Sequence, residues 1–323
     1  MVALTFEGVA FEAREGQTVL AALEAADISI DSSCRAGVCQ SCMVQSLDGA
    51  PPKSAQVGLP KALVLDGYFM ACVCVPEGPL TISRAGHVRQ RVDAVVRSLD
   101  RLSDTVVRLR LEPDGPFAYR PGQFLSLIDP VSKIARSYSI AGGVDGLIEL
   151  HVRIISGGRM SGLVSSAIAP GYRMTIGGPS GSCYYEDGDP NRRIVLAGTG
   201  TGLAPLWAIL NDAVAHDHRG PISLYHGALD PSGLYLVEAL EGLQVRRPGF
   251  SYLPCIRDQA DPSGTDLVSV VAGAETDLAN TTFFLCGDEL LVNRLKRALF
   301  LAGAKLDRIH ADPFVAAQPK PAA

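Results

Sequence analysis

Cys34-Arg35-Ala36-Gly37-Val38-Cys39-Gln40-Ser41-Cys42 is the stretch on which the reading of this chain turns. It spells C-x4-C-x2-C, and two further cysteines, Cys72 and Cys74, follow thirty residues later. Thiolates at this spacing ligate plant-type [2Fe–2S] clusters, four sulfurs on two irons. A tight loop with glycine at position 37 lets backbone N–H groups turn inward toward sulfur, where a β-carbon would obstruct them. Cys72 and Cys74 are one residue apart, so on extended backbone they point to opposite faces and only one can join the loop cysteines. Spacing alone does not choose between them. The rival is a four-thiolate zinc site, but such sites usually carry two C-x2-C pairs. Here there is one, preceded by a four-residue gap.

Composition frames that motif. Five of the eight cysteines lie between positions 34 and 74. With no basic start followed by a long apolar segment, the N-terminal residues do not read as a secretory signal, and the expected compartment is the cytoplasm. Thiols there serve metal binding or redox work more often than disulfides. No apolar run is long enough to span a membrane. The net charge of −5 gives nucleic acid or an anionic membrane no electrostatic purchase. Residues 1–88 hold nine acidic and five basic side chains, an acidic surplus that suits either a basic protein partner or plain solvation.

At 323 residues the chain has room for two or three domains. The pattern divides it at 1–87, 88–187 and 188–315, with a disordered tail over 316–323. The first segment reads as strands over 3–6, 9–13, 43–47 and 79–83 around a short helix over 19–26 that Thr18 caps. The second alternates as short strands over 91–96, 106–111, 124–128, 137–140, 148–154 and 174–176. Gly and Pro turns separate them, and a helix over 161–168 interrupts, which predicts a small β-barrel. The third alternates β with α. Its strands are expected over 194–197, 222–225, 251–255 and 282–285 and its helices over 203–215, 234–240 and 290–301, predicting a parallel sheet.

Two further constellations carry chemistry. Arg136-Ser137-Tyr138-Ser139 alternates so that a cation for phosphate and an aromatic plane share a face. Downstream, Gly157-Gly158-Arg159-Met160-Ser161 opens a helix whose N-terminal N–H groups suit a pyrophosphate; a plain turn with Ser161 as N-cap is the simpler alternative. Gly198-Thr199-Gly200-Thr201-Gly202-Leu203-Ala204-Pro205 joins a buried strand to a helix, near to the dinucleotide fingerprint without matching it. Cys286-Gly287-Asp288 ends a strand where ligands of open α/β sheets bind. Cys183 and Cys255 have no motif around them and read as small buried hydrophobes. Trp207 reads as packing, and His216 and His218 as a solvated helix end.

In this order the motifs resemble those of the reductase components of bacterial multicomponent oxygenases, particularly the naphthalene and benzoate dioxygenase reductases. Phenol hydroxylase and soluble methane monooxygenase reductases share the layout, and the resemblance spans about residues 1–315. It implies a multi-domain α+β and α/β protein: a β-grasp-type [2Fe–2S] ferredoxin domain, an antiparallel β-barrel FAD domain and a parallel-sheet α/β NAD(H) domain. It implies that Cys72 joins Cys34, Cys39 and Cys42 as ligand, leaving Cys74 in the core. Arg136, Tyr138 and Ser139 match the flavin motif, with the serine near N5, and Gly158 to Ser161 match the flavin-phosphate turn. Gly198, Thr199, Gly200, Thr201, Gly202, Ala204 and Pro205 match the nicotinamide-phosphate loop. Cys286 and Gly287 match a Cys-Gly-Pro motif whose cysteine approaches the nicotinamide. His310-Ala311-Asp312-Pro313-Phe314 resembles the C-terminal end of the naphthalene-type enzymes.

Two departures stand out. Asp288 replaces the usual proline, which puts the local backbone geometry in question. Leu229 replaces an arginine common in relatives, and with Asp230 beside it this disfavours a 2′-phosphate, so NADH is expected over NADPH. The implied activity is hydride transfer from NADH to FAD and single-electron transfer through the cluster to a terminal oxygenase or a separate ferredoxin. Cys286 and Ser139 would act at the hydride step. A Rieske aromatic-ring dioxygenase is the first acceptor, with a di-iron monooxygenase and then a deoxysugar-dehydrating system behind it. A redox sensor without catalysis is the rival from another class, and rapid NADH-driven cytochrome c reduction would exclude it. A zinc-bearing interaction module is a second rival, and it would give a colourless protein.

Overall fold

The structure is a computed structural model describing residues 1–85, 90–186, 188–257 and 266–316. The expected breaks at 87/88 and 187/188 fall at 86–89 and 187, outside the described residues, as does the tail from 317. Three sheets with separate hydrophobic cores account for the rest.

The first sheet holds β1 (Val2–Phe6), β2 (Val9–Ala13), β3 (Met43–Asp48), β4 (Tyr68–Met70) and β5 (Leu80–Arg84), ordered β2-β1-β5-β3-β4. Helix α1 (Val19–Ala25) buries Val19, Leu20, Ala22 and Leu23 on it, and the Thr18 hydroxyl caps it by accepting from Ala21 N at 3.3 Å. The short helix α2 (Lys61–Leu65) precedes β4. The N–H groups of Val19 and Leu20 donate to the carbonyls of Cys74 and Ala71, and Ala71 N–H donates to Cys42 O at 3.1 Å. These bonds bring the 71–74 segment against the cysteine loop.

A closed antiparallel barrel follows, in the order β10-β7-β6-β11-β8-β9. Its strands are β6 (Gln90–Arg101), β7 (Val106–Pro113), β8 (Phe124–Ile128), β9 (Ala135–Gly142), β10 (Ile148–Arg153) and β11 (Arg173–Ser180). Residues alternate in and out along β6 and β7, and Ala94, Val96, Leu109 and Leu111 fill the interior. Helix α3 (Arg159–Ser166) begins two residues before the expected start. Gly158 is its N-cap, and the Ser161 hydroxyl instead accepts from Ile155 N at 3.4 Å, pinning the incoming loop.

The third sheet is wholly parallel, ordered β14-β13-β12-β15-β16. It comprises β12 (Ile194–Thr199), β13 (Ile222–Ala228), β14 (Phe250–Ile256), β15 (Thr282–Asp288) and β16 (Ile309–Phe314). Helix α4 (Leu203–Ala215) packs on one face, and α6 (Leu267–Ala274) and α7 (Glu289–Leu301) pack on the other. Helix α5 (Val237–Arg246) starts three residues later than the expected 234–240 and runs on to Arg246. Asp230 and Pro231 start a 3-10 turn there, and Leu236 adopts a left-handed conformation that interrupts any continuous helix. Trp207 is half-buried against the α4 side of the sheet. His218 corrects the expectation of a solvated helix end: it is buried, bonded to Tyr185 Oη at 3.1 Å and to Arg192 O at 2.8 Å, whereas His216 is exposed.

Candidate functional site

The cysteine loop turns at Gly37, whose φ of 76° lies in the left-handed region that glycine tolerates. The N–H groups of Ala36 and Cys39 donate to Cys34 Sγ at 3.3 and 3.4 Å, and Cys34 N–H donates to Cys39 Sγ at 3.4 Å. Inward-pointing amides of this kind stabilise sulfur in its anionic form. Through its bond to Cys34, Cys39 is pushed down to about 5, while Cys34 is pushed up by the same contact. Cys42 and Cys72 form a second pair in which Cys42 goes up and Cys72 down. Cys74 sits in the core at 0% exposure, pushed up to about 12 by burial.

Among the described residues no three His, Cys, Asp or Glu side chains converge as a single metal ion would require. Two facing pairs, Cys34 with Cys39 and Cys42 with Cys72, fit a two-iron cluster with two thiolates on each iron.

This loop lies on the barrel. Cys34 and Cys39 pack against Phe124 on β8, and Ser41 Oγ meets Ser126 Oγ at 2.8 Å. β8 pairs with β9 so that Phe124 stands opposite Ser139, Leu125 opposite Tyr138 and Leu127 opposite Arg136. The strand that touches the cysteine loop is therefore hydrogen-bonded to the strand carrying the Arg-x-Tyr-Ser motif. Burial, then the neighbouring Arg159 and Arg35 guanidiniums, push Arg136 below the ordinary arginine value. Cations crowded together in this way suit a pyrophosphate. Tyr138 is pushed up by burial.

On the parallel sheet, register sets Gly198 beside Cys286 and Cys286 beside Asp312 in one row across the ends of β12, β15 and β16. Close approach makes the loop glycines obligatory. A Cβ on Gly202 would lie 2.3 Å from Cys286 O, and one on Gly198 2.5 Å from the same oxygen. Thr199, Gly200, Thr201, Ala204 and Pro205 follow the turn into α4. Asp288 replaces proline without disruption: its carboxylate accepts from Leu291 N at 3.0 Å and caps α7. Asp230, two residues past the end of β13, accepts from Ser232 N at 2.9 Å beside an exposed Leu229. Phe314 ends β16 opposite Asp288.

Three residues at this site carried no sequence signal. Asp312 lies in the 310–314 stretch that resembles the naphthalene-type C-terminal end, where no role for it is implied. Its carboxylate accepts from Ser139 Oγ at 3.1 Å, which joins the barrel to the parallel sheet, and burial pushes it up to about 7. Cys183, read as an inert core thiol, lies with its Sγ 3.6 Å from Cys286 Sγ. Tyr235 bonds His151 Nδ1 at 3.1 Å and packs edge-on to His226, so it links β10 of the barrel to β13. A cleft of about 870 Å³ opens between the cysteine loop and β16, lined by Ala36, Val38, Phe124, Cys183, Tyr184 and Asp312 among others.

Comparison with known proteins matches the same three segments. A 2Fe-2S iron-sulfur cluster binding domain covers residues 4–77, an oxidoreductase FAD-binding domain 93–185 and an oxidoreductase NAD-binding domain 196–297. The chain is 32% identical over 321 residues to the terephthalate 1,2-dioxygenase reductase component 2 of Comamonas sp., covering 95% of this chain and 94% of that one. It is 27% identical over 332 residues to the phenol hydroxylase P5 protein of Acinetobacter pittii, covering 96% and 93%. The crystal structure of the Amycolatopsis cytochrome P450 reductase GcoB superposes with a TM-score of 0.69 at 26% identity, covering 98% of this chain and all of that one. With three domains in this order and relatives aligned end to end, the chain belongs to the ferredoxin–FAD–NAD(H) family of iron–sulfur flavoprotein reductases, the reductase components of bacterial oxygenases.

Proposed function

We propose that Cys34, Cys39, Cys42 and Cys72 hold the [2Fe–2S] cluster. In the same reading Arg136, Tyr138, Ser139 and the 158–161 turn hold FAD, and the 198–205 loop with Asp230, Cys286, Gly287 and Phe314 binds NADH. The bound groups supply a change in electron count, a hydride pair entering at the nicotinamide and single electrons leaving at the cluster. The observation carrying this reading is a continuous run of contacts. The cysteine loop packs on Phe124, Phe124 pairs with Ser139, Ser139 bonds Asp312, and Asp312 adjoins Cys286. Within it, Cys286 and Ser139 flank the place where nicotinamide meets flavin. Asp312 sets the direction of the Ser139 hydroxyl, accepting its proton when ionised and donating to it when neutral.

The electron acceptor in this reading is an oxygenase, directly or through a separate ferredoxin. Relatives at 32% and 31% identity are terephthalate 1,2-dioxygenase reductases, which favours a Rieske ring dioxygenase. The 27% match to a phenol hydroxylase component supports a monooxygenase as the second reading. An exposed leucine at 229 and a carboxylate at 230 favour NADH. The decisive experiment is absorption and low-temperature EPR of the purified protein before and after NADH, with iron and flavin analysis. Two irons and one FAD per chain, with a cluster signal appearing on reduction, are expected, and a colourless protein ends the proposal. Turnover with each cofactor tests NADH preference, and faster turnover with NADPH refutes it.

A further inference from the structure

The Cys183–Cys286 contact has no part in the electron path just described. Cys183 lies on the link between β11 and β12, Cys286 at the end of β15, and 103 residues separate them. Cys286 is completely enclosed. Cys183 is 2% exposed and borders the cleft, so a small solute reaches it before Cys286. The two thiols face each other within the apolar layer that includes Leu203, Leu206 and Ile209. No third metal-ligating side chain completes a coordination site there among the described residues. At 3.6 Å the sulfurs are in van der Waals contact, and bonding requires them to close to about 2.05 Å.

We propose that Cys183 and Cys286 are an oxidative modification site that closes a reversible disulfide in response to hydrogen peroxide. The Cys183 sulfur attacks one peroxide oxygen, the O–O bond breaks, and water leaves to give a sulfenic acid on Cys183. The Cys286 sulfur then displaces the hydroxyl as a second water, so two thiols and one peroxide yield one disulfide and two waters. The two electrons lost by sulfur are those that reduce the peroxide. Burial and the neighbouring Cys183 push the Cys286 thiol up, which makes it the slower partner and fits it to the second step. Peroxide forms where a reduced flavin meets dioxygen in the absence of an acceptor. The bond ties the interdomain link to the central sheet and removes the Cys286 thiol from the nicotinamide position. This closes hydride entry when electrons have nowhere useful to go. That consequence rests on the reading of Cys286 above, whereas the cross-link itself does not.

The test oxidises the cofactor-loaded full-length protein with hydrogen peroxide, alkylates the remaining thiols and digests with trypsin without reductant. Cleavage after Arg173, Arg192, Arg257 and Arg294 leaves Cys183 and Cys286 as the sole cysteines of their peptides. A linked pair two hydrogens lighter than the separate peptides, lost on dithiothreitol treatment, is expected. NADH–ferricyanide activity, which reads the flavin without the cluster, should fall about tenfold on oxidation and return with dithiothreitol. Cys183→Ser and Cys183→Ala, each compared with its own untreated sample, should keep their rates within about twofold. Absence of the linked peptide overturns the proposal, as does equal peroxide loss in both variants. A linked peptide with an unchanged rate overturns the closure of hydride entry. An unchanged hydride rate in Cys286→Ala, with the linked peptide still forming in the parent, instead indicts the assigned role of Cys286.

Discussion

In the N-terminal loop Cys34 and Cys39 receive backbone amides at 3.3 to 3.4 Å, and one thiol of each facing pair is pushed down. At the end of β15, Cys286 meets another thiol across an apolar layer, and burial pushes it up. Both sulfur pairs are buried, so burial does not decide their chemistry. The difference lies in the backbone. A nine-residue loop with a left-handed turn aims several N–H groups at its sulfurs, whereas the Cys286 sulfur takes a backbone N–H from Asp312 on the neighbouring strand, outweighed by burial and by Cys183. In the proposed function the first arrangement would supply cluster ligands, and the second would keep the Cys286 thiol, pushed up by burial, beside the nicotinamide.

The largest break in this comparison comes from the loop. Cys42→Ser should abolish the cluster and cut NADH–cytochrome c reduction by more than about 100-fold, beyond what changes outside the ligand set produce. Ferricyanide reduction should persist. Cys74→Ser, in the core, should keep the cluster and its spectrum. Next in size, Cys286→Ala should slow stopped-flow flavin reduction by NADH by about tenfold with FAD content intact, and unchanged kinetics would remove its positioning role.

Asp312→Asn sharpens the contrast at the junction of the two halves. Burial pushes the folded carboxyl up to about 7 from its ordinary 3.8, so its contribution to stability is full below 3.8 and is lost as pH rises through 7. The flavin reduction rate should step near pH 7, the thermal midpoint should fall between about pH 4 and 7 and level off above, and asparagine should flatten both profiles. The smallest effect is expected from Tyr235→Phe. It leaves His151 Nδ1 without its 3.1 Å partner and should cost about 1–3 kcal/mol, read from the denaturant midpoint.

Much of the fold was legible from local pattern. The strands over 9–13 and 124–128 and the helix over 203–215 match Val9–Ala13, Phe124–Ile128 and Leu203–Ala215. Each has a clear period and a marked end. Elements whose signals conflict were misread or unseen. Leu267–Ala274 is helical despite its β-branched residues because it caps the β13 side of the sheet, and the Leu236 break delays the start of α5 to Val237. His218 looked solvated because its partner Tyr185 comes from a distant segment.

The order of the three domains, the loop cysteines and the glycine turns were set by sequence alone, since short spacings fix loop geometry without reference to the rest of the chain. Tertiary structure alone decided that Cys72 faces Cys42 while Cys74 turns into the core, that Phe124 joins the cysteine loop to the strand of the Arg-x-Tyr-Ser motif, and that Asp312 and Cys183 reach Ser139 and Cys286. Those meetings depend on strand register and sheet order between segments up to 173 residues apart. A local pattern cannot encode them, because the same alternation of apolar and polar residues is compatible with many registers.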